Sequence, residues 1–233
     1  MQLGALRQVP GRKPASGPLV PGPLRWPAVA LLAVCVAVTA MLAVRFVGYG
    51  LPGWLDTTFD PRIQAHMARF PVLLNWLPSF GTLGPVAAMT LALALTCSAV
   101  RRWSGAVLAV AAVPIAVGLT EYMLKPSIGE AIGQGFPSGH ATSMFALAAA
   151  SAVLLAGAPR GRVPGGVRLL LALMALGLAT FVAAAMVANG AHVFTDAVGG
   201  AAVGIAVVLA CALTLDLVAS WWRRGLGQAP PAG

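Results

Sequence analysis

Five residues stand out in a chain otherwise poor in reactive groups: Glu121, Lys125, His140, His192 and Asp196. His192 and Asp196 are four apart, so on a helix they share a face, and the carboxylate can keep one imidazole nitrogen protonated. The other nitrogen is then free to attack or to accept a proton. Three arrangements fit this spacing: a structural His–Asp pair between helices, two ligands of a metal, and a carboxylate-oriented nucleophile. The metal arrangement is the weakest, because its third ligand would have to be His140 or Glu130. No metal and no cofactor is therefore expected.

At Phe136-Pro137-Ser138-Gly139-His140 a loop runs into a helix. Ser138 is placed as an N-cap, and Gly139 leaves the backbone open to close approach. The free N–H groups of such a helix start make an anion site, and His140 in the first turn adds a titratable donor. Lys125 follows Glu121 by four residues, the favourable order for an ion pair within a helix. Two accounts of Lys125 are open: a snorkelling lysine neutralised by Glu121 or Glu130, or a cation that holds an anionic substrate group.

The elements that must position these residues are set by composition. Of the 233 residues 59% are hydrophobic and only 9% charged, and the mean hydropathy is +0.86. That leaves too little polar surface to coat a water-soluble globule. Six stretches reach the roughly 20 residues of a bilayer crossing, at about 27–48, 80–100, 104–125, 139–157, 168–189 and 193–219. The expected fold is all-α, a bundle of six transmembrane helices over residues 27–220. Residues 1–26 are expected as a flexible basic tail and 221–233 as a short second tail. Between the first two spans, residues 50–78 mix Trp54, Asp56, Asp60, Arg62, His66, Arg69 and Trp76 with apolar positions, as in an interfacial amphipathic segment. Cys35, Cys97 and Cys211 lie inside apolar runs and form no metal-binding or disulfide pattern.

The net charge of +9 comes from 15 basic and 6 acidic residues, and the bases fall between the apolar runs. This suits orientation in a bilayer, and no nucleic-acid partner is expected. Six spans put eleven bases on the side of the termini and four (Arg45, Arg62, Arg69 and Lys125) on the other. Both termini are thus expected in the cytoplasm of a cell whose inner (plasma) membrane holds the chain. The preponderance of Arg over Lys, with abundant Ala, Gly and Pro, points to a GC-rich bacterial genome. The reactive residues then gather at the outer ends of the third to sixth spans.

These residues resemble the motifs of the type 2 phosphatidic acid phosphatase (PAP2) superfamily, membrane phosphatases related to vanadium haloperoxidases. Lys125 matches the lysine that opens that pattern, Pro137-Ser138-Gly139-His140 its second motif, and His192 with Asp196 the end of its third. The resemblance covers roughly residues 27–219. It implies a metal-independent phosphatase of a lipid phosphate in which His192 forms a phosphohistidine, Asp196 orients it and His140 protonates the leaving oxygen. Lys125 and the amides near Ser138 and Gly139 would hold the phosphoryl oxygens.

Two arginines of the family pattern are absent. Glu130 stands where the first is expected, and Ala185-Met186 replaces the Ser-Arg that precedes His192. Removing one preorganised transition-state donor costs roughly a hundred- to a thousandfold in rate. Asn189, one turn before His192, is the expected neutral substitute. The alternative is a catalytically impaired member that binds a phosphorylated lipid or a partner protein.

Overall fold

Backbone inside a bilayer must satisfy its own hydrogen bonds, and the apolar stretches of this chain do so as helices. The computed structural model describes residues 17–49, 52–128, 135–159 and 163–226, and no strand occurs among them. The helices are α1 (Arg25–Tyr49), α2 (Trp54–Met67), α3 (Pro71–Phe80), α4 (Leu83–Ala99), α5 (Trp103–Gly118), α6 (Lys125–Ile128), α7 (Gly139–Ala156), α8 (Gly165–Ala188) and α9 (Phe194–Leu226). A π-helical segment, Leu119–Leu124, joins α5 to α6.

Among the described residues, five stretches are long and apolar enough to cross a membrane: Gly22–Val47, Trp103–Ile128, Gly139–Ala156, Gly165–Ala188 and Phe194–Trp222. The span expected at 80–100 differs. There α4 reaches crossing length only together with α3, and the two are bent by 63° where Gly81 ends α3 and Thr82 opens α4.

The centre of the bundle is α7, which packs against α5, α8 and α9. Its contact with α9 runs backbone to backbone. A β-carbon on Gly200 would overlap Ser138 O, and one on Gly204 would overlap Thr142 O and Ala146 N. Gly200 and Gly204 form a G-x-x-x-G face, the pattern that lets helices approach closely where lipid supplies no hydrophobic drive. α1 lies at the margin. It exposes Val34, Met41 and Val44 and turns Cys35, Leu42 and Phe46 inward, the last stacked on Phe136 at 4.6 Å.

The tail expected over 1–26 is docked in its described part. Leu19 is fully buried, and the N–H groups of Leu19 and Val20 donate to the two carboxylate oxygens of Asp216 at 2.8 and 2.9 Å. A carboxylate buried in α9 needs such partners, and two backbone donors supply them. Asp216 thereby fixes the chain at the end of the bundle opposite the reactive residues, about 30 Å along α9 from Asp196.

The glycine face yields a contrast. Gly204→Ala should destabilise the protein by about 1–3 kcal/mol, since the neighbouring atoms are backbone and the helices must separate. Gly177→Ala in α8, where nothing lies within 4 Å, should be neutral or slightly stabilising. Thermal unfolding of the two variants in detergent measures the difference.

Candidate active site

The start of α9 carries N–H groups with no acceptor in their own helix. Two carboxylates from α2 take them. Phe194 N–H donates to Asp60 Oδ1 at 2.9 Å, and Thr195 N–H to Asp56 Oδ1 at 2.9 Å. The other oxygen of Asp56 accepts from Gly53 N–H at 2.7 Å, at the N-cap of α2 itself. Asp56 is 1% exposed, so one buried carboxylate caps two helices. Neither aspartate figures as a site residue in the sequence reading, although their i, i+4 spacing puts them on one helix face. Within the segment expected to be interfacial, these two charges face α9.

His192 precedes α9 by two residues, so its relation to Asp196 is that of a helix entry to the first turn. Gly190, at φ +71°, closes α8 in a Schellman arrangement: Ala191 N–H donates to Met186 O and Gly190 N–H to Val187 O, both at 3.0 Å. The next N–H, that of His192, also reaches Met186 O, at 3.3 Å. The imidazole Nδ1 lies 3.2 Å from Asp196 Oδ2, and both residues are buried. The second carboxylate oxygen, Oδ1, is buried and has no hydrogen-bond partner among the described residues.

The Pro-Ser-Gly-His motif meets this pair directly. Ser138 N–H donates to the backbone oxygen of Asp196 at 3.1 Å. The Ser138 side chain caps α7 by accepting from Ala141 N–H at 3.4 Å, as its type and position predict. The amide of Ser138 is thus committed to α9. The first-turn N–H groups of Gly139 and His140 are the ones without an acceptor inside α7. The His140 ring rests on the α3–α4 break, where a β-carbon on Gly81 would overlap it. It lies within electrostatic range of His192, Lys125 and Glu121.

Lys125 Nζ bonds both oxygens of Glu121, at 2.7 and 2.8 Å, and the lysine stem packs on Gly135, at φ +52°. The π-helical segment that carries Glu121 is tied to α7 by Thr120 Oγ1–H to Thr142 Oγ1 at 3.1 Å. The Asn189 amide donates to Leu74 O of α3 at 3.2 Å and so braces the end of α8. Met186 is buried, and Glu130 lies outside the described residues. The structure therefore brings His140, His192, Asp196, Ser138, Gly139, Lys125 and Glu121 to one end of the bundle.

Apolar helices of crossing length with a polar centre at one end define a helical membrane protein. The family is the PAP2 superfamily: its model matches residues 28–218, and the chain belongs to it. No curated protein and no solved structure matches the chain.

Burial pushes the Asp60 carboxyl above its usual 3.8, and the charges of Asp56 and Asp196 push the same way, against the Phe194 N–H bond. The folded protein then holds this proton more tightly than the unfolded chain. The contribution of Asp60 to stability is complete below the unfolded value and is lost as pH rises through the raised folded one. Asp60→Asn keeps an acceptor for Phe194 and should flatten that fall, read as Tm against pH. Asp56→Ala should cost about 1–3 kcal/mol for each stranded donor.

Proposed function

We propose that this protein is an integral-membrane phosphatase of phosphorylated lipids that works through a phosphohistidine at the extracytoplasmic face. The observation that carries the reading is the His192–Asp196 pair, held at the start of α9 and joined through Ser138 to the first turn of α7. With Nδ1–H donated to Asp196, the Nε2 lone pair of His192 attacks phosphorus. The bond from phosphorus to the lipid oxygen breaks, and His140 gives that oxygen its proton. Water then attacks phosphorus as His140 takes its proton, and the phosphorus–nitrogen bond breaks, releasing inorganic phosphate and restoring His192. The amides of Gly139 and His140, with Lys125, would hold the phosphoryl oxygens through the transition state.

A lipid is favoured over a free sugar phosphate by the surroundings. Among α2, α7, α8 and α9, a cavity of about 340 Å³ is lined by apolar side chains that include Ile63, Phe145, Ala183, Val187, Phe194 and Ala197. Such a lining suits a hydrocarbon chain whose phosphate lies at the helix starts. A second reading, a silent member that binds a phosphorylated lipid or a partner protein, is favoured by one observation: the buried apolar Met186 stands where the family pattern has arginine.

Phosphate release from several lipid phosphates, with chelator present, separates the two. Turnover that survives chelator and is abolished by His192→Ala selects the enzyme, and silence toward all of them selects the binder. His140→Ala should slow hydrolysis of a poor leaving group by about 10²–10⁴-fold while sparing an activated aryl phosphate. Equal losses on both substrates would contradict its role as acid.

The orientation has its own test. Ala191 is exposed between α8 and α9, while Cys35 and Cys97 are buried. Ala191→Cys should react with an impermeant maleimide from outside intact cells. Reaction only after the membrane is opened would reverse the topology.

A further inference from the structure

The place at the start of α7 that the phosphatase reading assigns to a phosphoryl group already holds an anion. A β-carbon on Gly139 would overlap Glu121 Oε1, and the same point lies 3.6 Å from Lys125 Nζ. The Glu121 carboxylate is therefore packed against the first turn of α7 while both its oxygens accept from Lys125. It is not a loosely solvated surface pair. The two side chains are only 23% and 36% exposed, and the segment that carries Glu121 is π-helical, a rare geometry that re-aims side chains relative to an ordinary α-turn. The Thr120 to Thr142 hydrogen bond fixes that segment to α7. The sequence alone makes Glu121 and Lys125 neighbours; only the fold shows that both reach Gly139.

Electrostatics decides what this means for a phosphoryl ligand. A carboxylate and a phosphate seek the same donors, here one ammonium and one helix start, and two anions within a few ångströms repel. With Ala185-Met186 in place of Ser-Arg, the site has no guanidinium at that position to offset the carboxylate. Occupancy by Glu121 and by a phosphoryl dianion are in competition for Lys125.

We infer that Glu121 is a resident competitor of the phosphoryl group: in the resting protein it holds Lys125 and fills the space against Gly139, and it must be displaced before a phosphate binds. This rests on the reading that the cradle takes a phosphoryl group. It goes further in assigning Glu121 control of affinity. The same competition assists the end of the cycle, because the returning carboxylate takes Lys125 back from inorganic phosphate.

The experiment titrates orthovanadate into the full-length protein in detergent and follows binding by thermal shift, with hydrolysis of a lipid phosphate measured in parallel. Glu121→Gln removes the charge while leaving an acceptor for Lys125, and it should bind orthovanadate at least about tenfold tighter than the parent. The gain should vanish when Lys125→Gln is added, since the released cation is its source. Glu121→Asp, whose shorter carboxylate withdraws from Gly139, should fall between parent and Glu121→Gln, and it serves where Glu121→Gln folds poorly. Unchanged or weaker binding by the folded variants, in a parent that hydrolyses lipid phosphate through His192, overturns the inference and leaves the phosphatase reading standing. No orthovanadate binding by any variant together with no hydrolysis removes both.

Discussion

Every helix start presents N–H groups that the helix cannot satisfy, and in this bundle the start of α9 is where that requirement governs the rest. Asp56 answers it from another helix while capping its own, and Asp60 adds a second acceptor one turn away. Because Asp56 is 1% exposed, water cannot replace it. The bonds fix α2 over the end of α9, and with it the level at which His192 leaves the α8 turn. Asp196 then receives the imidazole from one side and, through its carbonyl, the Ser138 amide from the other. The placement of the His192–Asp196 pair thus depends on a carboxylate supplied by another helix.

The bundle below converts that local order into one rigid end. Gly200 and Gly204 let α9 lie against the α7 backbone beside Thr142 and Ala146, so the two helix starts cannot drift apart without opening the whole interface. Asp216 anchors the opposite end of α9 to Leu19 and Val20. One long helix is therefore held at both ends by carboxylate to backbone N–H bonds, a design suited to a medium where every polar group needs a protein partner.

Much of this was legible in the residues. Apolar runs give the helices, because bilayer-length stretches of one solubility leave the backbone a single solution. Ser138 as N-cap and the pairing of Glu121 with Lys125 follow from local spacing, which short-range geometry settles. The rest depends on distance in sequence. Asp56 and Asp60 lie far from the helix they cap, so no window of residues shows their role, and they read as surface charges. The bond from the Asn189 amide to Leu74 O joins α8 to α3 across more than a hundred residues, and no local window shows it. The docking of Leu19 on Asp216 is equally non-local. The 200–204 glycine pattern was available from sequence as a close-packing signal, but its partner on α7 was not.

A carboxylate bonds the α9 start, and another packs beside the α7 start while bonding Lys125; comparing the two explains why one can be structural and the other exchangeable. Asp56 accepts from two backbone N–H groups in a buried setting, and leaving would strand donors that nothing else can reach, at about 1–3 kcal/mol each. Glu121 is partly exposed, and both its oxygens accept from Lys125. A phosphoryl oxygen satisfies an ammonium as well as a carboxylate does, so exchange at Lys125 strands no donor, and the departing Glu121 has water to receive it. The cost of exchange is then mainly the separation of one ion pair, which partial exposure keeps small. On the phosphatase reading, the α9 start is capped permanently so that His192 is held in place, while Lys125 beside the α7 start is held by an exchangeable carboxylate and can be given up to the substrate.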